Sequence, residues 1–205
     1  MNKVKPKKCQ VCKEKFTPIY STIQPTCSIK CTIELNKRKK EKALNEKVKL
    51  MKIDTHSKEY RKELQDEVNK LSRKIDEIHG YILCIDDCGK GYGKQTDAAH
   101  FHSRGSNSSL RYNLHNLHSA NSQCNQFSDK HHEGYKIGLE KRYGIDYLNK
   151  VLNLPNIYKE IKLSNKEVYE KLKVVRLLIR TVHTFQFESS IEAREYFNKI
   201  IGIYQ

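Results

Sequence analysis

Seven cysteines constrain this chain more than any other feature, because they fall in spaced groups. The first group is Cys9-x2-Cys12 followed by Cys27-x3-Cys31; the second is Cys84-x3-Cys88, followed by a single Cys124. Thiolates are good zinc ligands, and four of them close a tetrahedral structural site. The first group therefore reads as a zinc site built from a knuckle, a short hairpin packed by Phe16, Ile19 and Tyr20, and a second pair at a helix start that Ser28 can cap. Four thiolates leave no open coordination position, so this site presents the basic residues Lys13, Lys15 and Lys30 rather than doing chemistry.

Charge points to the partner. The 205 residues carry a net +15, and the first 75 hold 21 Lys/Arg against 9 Asp/Glu, leaving 18 against 15 for the rest. Such an excess favours nucleic acid or an anionic membrane, and its skew makes the first third the handle for phosphate. No apolar stretch follows the N-terminus, which excludes a signal peptide, and no run approaches the ~20 apolar residues needed to span a bilayer. The expected location is the cytoplasm, where thiols stay reduced and paired cysteines suit metal better than disulfides. A modest apolar share and the absence of Trp argue against one large core and for small metal-held modules.

Residues 1–8 read as a basic tail that orders on DNA. Residues 32–53 read as a very basic helix whose densest patch is Lys37, Arg38, Lys39 and Lys40. A charge run of this kind is usually a solvated helix face; the charge skew favours phosphate contact. From Ser57, a candidate N-cap, Tyr60, Leu64, Val68, Leu71, Ile75 and Ile78 recur at helical spacing until His79 and Gly80 stop the helix. That stripe must be buried, against the following module or against a second copy of itself. After residue 132 come a helix broken near Gly144, a linker at Leu154-Pro155-Asn156, a capping box at Ser164 and Glu167, and a last helix opened by Ser189 and Glu192. The predicted class is α+β, mostly α. Its segments are a zinc module with basic helix (1–45), an amphipathic linker or dimerisation helix (46–79), a catalytic module (80–145) and a C-terminal helical region (146–205).

The stretch from Cys84 to His132 carries the chemistry. In order it holds the cysteine pair, Asp97-Ala-Ala-His100, an Asn-rich run with Asn113 and Asn116, and Cys124-Asn125. That order describes the ββα-metal (HNH, treble-clef-like) nuclease site, a hairpin and a helix around one divalent ion. Phosphodiester hydrolysis needs a base for water and a Lewis acid for the leaving oxygen. His100 is the candidate general base, because neutral imidazole is competent near pH 7. Asp97 and Asn125 are candidate ligands for Mg or Mn, and a hard carboxylate suits either ion. Asn116 joins the catalytic set by bracing the loop that orients the histidine. Arg104 and Arg111 are candidate phosphate contacts, and Arg111 can equally serve as a packed ion-pair partner. The bland readings are a surface or core histidine, a turn aspartate and a helix-capping asparagine; the cysteine frame around all three favours the site. The remaining histidines are expected mostly at the surface or facing DNA.

On "CQVCKEKFTPIYSTIQPTCSIKC" and "DAAHFHSRG…LRYNLHNLH…QCNQ" the chain resembles the phage NinG (Rap) recombination nucleases over residues 9 to about 143. The resemblance implies a divalent-metal endonuclease in a phage or prophage setting. It would act on branched recombination intermediates such as Holliday junctions, beside other recombination proteins. The Asp97-x-x-His100 and Cys124-Asn125 steps are also similar to the endonuclease VII type of junction resolvase, which implies a homodimer. Asn121 stands where the family's pattern has a cysteine, and Phe127 where a histidine is often found. The second zinc set is therefore read as Cys84, Cys88 and Cys124 with His118 as a candidate fourth ligand. Two other functions stay open: an HNH endonuclease on ordinary duplex DNA, and a zinc-ribbon DNA-binding protein without catalysis.

Overall fold

The computed structural model describes residues 5–92, 95–127 and 130–204, apart from the side chain of Phe127. The chain divides into two compact units, residues 1–55 and 56–205. The boundary thus falls ten residues later than the sequence suggested, because one helix, α1 (Ile29–Thr55), runs unbroken through residue 45.

In the first unit β1 (Lys7–Lys8) pairs antiparallel with β2 (Lys15–Phe16), so the end of the expected tail is a strand; residues 1–4 lie outside the described residues. The turn between the strands places Lys13 at φ 67 and returns its N–H to the Cys9 carbonyl at 3.1 Å. Ser28 Oγ accepts from the Cys31 N–H at 3.3 Å, as a cap should. Ile19 and Tyr20 do not pack the hairpin: they are 81% and 85% exposed. Their loop is held through its backbone, since Gln24 Oε1 accepts both of their N–H groups. At 27 residues, α1 extends about 40 Å.

The second unit centres on a two-stranded antiparallel sheet, β3 (Thr96–His100) with β4 (Leu117–Asn121), in the register Asp97↔Ala120 and His100↔Leu117. Alternate residues face opposite sides. One side meets α2 (Ser57–Ile78), whose Leu64, Val68, Leu71 and Ile75 are fully buried against α6 (Asn165–Thr181) and α7 (Ser190–Ile201). The amphipathic stripe is therefore covered within the chain and needs no second copy. Residues 146–205 are likewise no separate region, because α6 and α7 complete the α2 core. The other side meets α4 (His131–Tyr143) and α5 (Ile145–Ile157) through Tyr135, Leu139, Tyr147 and Val151. A short helix, α3 (Ser122–Phe127), leaves the end of β4 directly. The architecture is α+β and mostly helical.

Three local results differ from the sequence reading. Ser57 is already helical, and the capping position is His56. Pro155 lies inside α5 rather than in a linker. Having no N–H, it leaves the carbonyl four residues back unbonded by the helix. That carbonyl, Val151 O, meets the His102 ring nitrogen at 2.8 Å, which pins the loop after β3 to α5. The capping box is present at Ser164 and Glu167, whereas Ser189 accepts from Glu192 N while Glu192 turns back to Glu188 N. Between the layers lies a fully buried ion pair, Arg194 with Asp76. Asp76 also accepts the Ser119 N–H at 2.7 Å, tying α7, α2 and β4 together.

Candidate metal centres and the polar cleft

Both cysteine clusters can hold a metal such as zinc. The sulfurs of Cys9, Cys12, Cys27 and Cys31 lie within 4.8 Å of one another, with Cys12 and Cys27 at 3.5 Å and Cys27 and Cys31 at 3.7 Å. Zinc–sulfur bonds of about 2.3 Å in a tetrahedron give sulfur separations just under 4 Å, so the set fits. Against the effect of burial, the N–H groups of Val11, Cys12 and Cys27 draw the Cys9 thiol down to about 6. Cys9 is thus the member of the set poised as the thiolate a metal needs, while the Cys12 thiol and burial push its neighbour Cys27 up.

The second cluster is Cys84, Asp86, Cys88 and Cys124. Asp86, not His118, stands at the fourth position. His118 faces the same α4–α5 layer as the cluster but is fully buried among tyrosines, with Nδ1 at 3.0 Å from the Tyr135 hydroxyl and Nε2 at 3.3 Å from that of Tyr147. Both ring nitrogens are engaged, so neither can reach the thiols. His115 is similarly buried, between Tyr147 and Glu195, against the expectation that the spare histidines lie at the surface. Burial opposes the Asp86 carboxylate, but contacts from Cys84, Cys88 and His131 bring it down to about 2. Its Oδ2 lies 3.0 Å from His131 Nδ1, an outer partner of the kind that fixes a ligating carboxylate. Asn121, where a cysteine was missing, supplies a backbone N–H to Cys84 Sγ at 3.1 Å and a side-chain bond to Gly91 O at 2.8 Å. The loop is seated on α4 by two glycines one turn apart. A Cβ on Gly134 would meet Asp86 O at 2.2 Å, and one on Gly138 would meet Ile85 O at 1.6 Å.

A separate cleft of about 600 Å³ runs along the seam of α2 and β3, and Asp97, His100, Arg104 and Asn125 all line it. Asn125, on α3, donates its amide to Asp97 Oδ2 at 3.0 Å, and Gln126 donates to the same oxygen at 3.2 Å. Burial works against the Asp97 charge, yet these donors with Ser122 and Gln95 keep its pKa below the usual value. His100 Nε2 lies 3.2 Å from the Arg111 carbonyl, which can only accept, so Nε2 carries the proton and Nδ1 is the basic nitrogen. Burial, with the Arg104 and Arg111 charges, pushes the imidazole down to about 4 despite that bond, so it is neutral at pH 7. The Asn116 amide accepts from His102 N at 2.7 Å and donates to His102 O at 3.0 Å, two residues beyond His100.

Arg111 turns away from the cleft: its Nε donates to Gln65 Oε1 at 3.1 Å and its guanidinium lies 5.2 Å from the Tyr112 ring centre. Lys37, Arg38, Lys39 and Lys40 are exposed on α1 in the first unit, with Arg38 bonded to Glu34 at 2.7 Å. The sequence reading missed the α2 wall. Gln65 donates to the Arg111 carbonyl at 2.9 Å and to Asn69 at 2.8 Å, and Asn69 and Arg73 line the cleft at successive turns. Their four-residue spacing was visible, but a polar helix face reads equally well as a solvated one.

The family description "Bacteriophage Lambda NinG protein" matches residues 1–184. The chain belongs to the NinG family. Proteins named "Protein ninG" from Escherichia phage 933W and from Enterobacteria phage VT2-Sa are each 25% identical to it, over 83% of this chain and 94% of theirs. That of Salmonella phage P22 is 26% identical over 82% and 92%. No solved structure matches. No described helix of this NinG-family chain is long and apolar enough to cross a membrane.

Proposed function

We propose that this chain is a divalent-metal-dependent endonuclease of the HNH type that cuts branched recombination intermediates such as Holliday junctions. One observation carries the reading. A neutral imidazole whose Nδ1 has no hydrogen-bond partner among the described residues lies in the same polar cleft as a low-pKa carboxylate bonded to an asparagine amide. His100 Nδ1 is the base that takes the proton of the attacking water. Gln65 and Asn116 keep the ring in place, the first through the Arg111 carbonyl and the second through the His102 backbone. Arg104, exposed at the rim, meets the phosphate.

Asp97 and Asn125 are the residues that would hold Mg or Mn. They are oxygen donors, and one carboxylate with phosphate oxygens is a common Mg set. The bound ion would stabilise charge on the leaving oxygen. The two cysteine clusters take a structural part, since neither leaves a position for substrate. The net charge of +15 and the basic α1 supply sequence-independent affinity for DNA. The preference for branched DNA, and a dimer with one site per cleaved strand, rest on the family resemblance. The test is cleavage of a synthetic four-way junction beside a linear duplex of the same sequence, with Mg, with Mn and with neither. Metal-dependent cutting confined to the junction supports the reading. Equal cutting of duplex reduces it to a general HNH nuclease, and binding with no cutting in either metal leaves only a DNA-binding protein.

A further inference from the structure

The cleft does not end at the catalytic residues. Arg73 lines it and also lines a second cavity of about 380 Å³, walled by Tyr81, Ile82 and Tyr92 with Glu77 and Thr96. Both cavities follow one seam. Thr96, Ala98 and His100 alternate along one side of β3, while Glu77, Arg73, Asn69 and Gln65 descend α2 opposite them at four-residue steps. We propose that this second cavity receives an unpaired nucleobase next to the phosphate to be cut, with Arg73 holding the phosphate at the junction of the two cavities. The proposal rests on the nuclease reading for the position of that phosphate.

Four features fit a base and a phosphate in that order. Arg73 is half-buried, and among the described residues its side chain makes no hydrogen bond or ion pair, although Glu77 lies one turn away. A guanidinium kept free between two cavities is suited to an anion. Beyond it the lining changes from polar to aromatic. Tyr81 is fixed as a platform, with the Arg142 guanidinium 4.5 Å from its ring centre and the Tyr143 ring edge-on at 5.6 Å. Aromatic faces take any base, but only one that is not already stacked in a duplex. Ile82 stands 73% exposed at the mouth, where a flat ring would cover it. Glu77 discourages a second phosphate there and can accept from a base amino group. The arrangement selects DNA whose bases beside the cut can leave the stack, which costs less at a branch point than within continuous duplex.

The test measures binding rather than cutting, on the full chain with Ca and no Mg. Fluorescence anisotropy would follow labelled oligo-dT, a four-way junction and a 20-base-pair duplex. Arg73→Gln should weaken all three and lower the salt slope by roughly 0.7 to 0.9. Tyr81→Leu should weaken oligo-dT and junction binding by roughly five- to a hundredfold, while duplex binding stays within about twofold. Ile82→Glu, at an exposed position that folding does not need, should show the same selectivity. Loss on all DNAs alike, or no loss in both Tyr81→Leu and Ile82→Glu, overturns the pocket. A selective loss in a protein that never cuts any DNA keeps the pocket and refutes the nuclease reading; cutting with unselective variants does the reverse.

Discussion

Replacing Gly138 by alanine probes the bond between α4 and the second metal loop. In a helix interior Gly→Ala normally gains about 1 kcal/mol from backbone propensity. Here the new Cβ would lie 1.6 Å from Ile85 O and 2.8 Å from Ile85 C, both main-chain atoms that no rotamer change can move aside. To bring the 1.6 Å approach out to ordinary contact at about 3.4 Å the loop must retreat by about 1.8 Å, and it carries Cys84 and Asp86 with it. Overpacking of this kind costs about 1–3 kcal/mol or more, and a displaced ligand set adds the loss of metal-binding energy. We expect net destabilisation of at least about 2 kcal/mol despite the propensity gain. The assay is urea unfolding together with zinc quantification. The purified wild-type chain should hold two zinc ions, one per cluster, and Gly138→Ala one, because the first cluster lies in the other unit. A variant that retains both ions and an unchanged unfolding midpoint would show that α4 does not seat on the loop in this way.

Asp86→Ala should remove the second zinc while leaving the first, and His118→Asn should keep both, measured by metal analysis and by the visible spectrum of the cobalt-substituted protein; the opposite pattern would restore His118 as the ligand. Acid should destabilise the second unit through its buried imidazoles. His100 and His115 are both pushed to about 4, chiefly by burial, so the unfolded chain binds more protons between about 6.5 and 4. Stability is therefore full above about 6.5 and falls as the pH drops through that window, by at most about 3 kcal/mol for each histidine. Unfolding midpoints at pH 7.5, 6 and 4.5 check this, and a flat profile would contradict it. Ser164→Ala should cost about 1 kcal/mol through loss of the cap on α6, read from the same midpoints.

Much of this structure was legible where a pattern has only one physical cause. The stripe of Leu64, Val68, Leu71 and Ile75 had to be buried, and so did that of Val168, Leu172, Val175 and Leu178. What the stripes could not say was that each covers the other, so a dimer contact was an equal candidate for α2. Four cysteines at knuckle spacing foretold the first cluster, but the second had three and needed a ligand from elsewhere. Asp86 is one acid of an adjacent pair, and its role follows from the close seating of the loop on Gly134 and Gly138 rather than from any spacing. His118 was closer in sequence to Cys124 and misled, because both of its ring nitrogens are taken by the Tyr135 and Tyr147 hydroxyls, which nothing in its spacing shows. Asp97, His100 and Asn125 line one cleft, whose α2 wall the motif did not include. Gln65, Asn69 and Arg73 were invisible because nothing in a polar helix face says which turn lies over a strand. Pro155 read as a break, since sequence alone does not show that His102 takes the carbonyl it frees.

The central claim is that the His100 imidazole is the base of a DNA-cutting site. It is tested most directly by the single-turnover cleavage rate of a four-way junction in Mg by His100→Ala beside the wild type, with junction affinity measured on the same preparations. The claim predicts a rate lower by roughly 10²–10⁴-fold with affinity within about twofold. A variant that cuts at the wild-type rate, or a wild type that binds the junction and leaves it whole in both Mg and Mn, would contradict it.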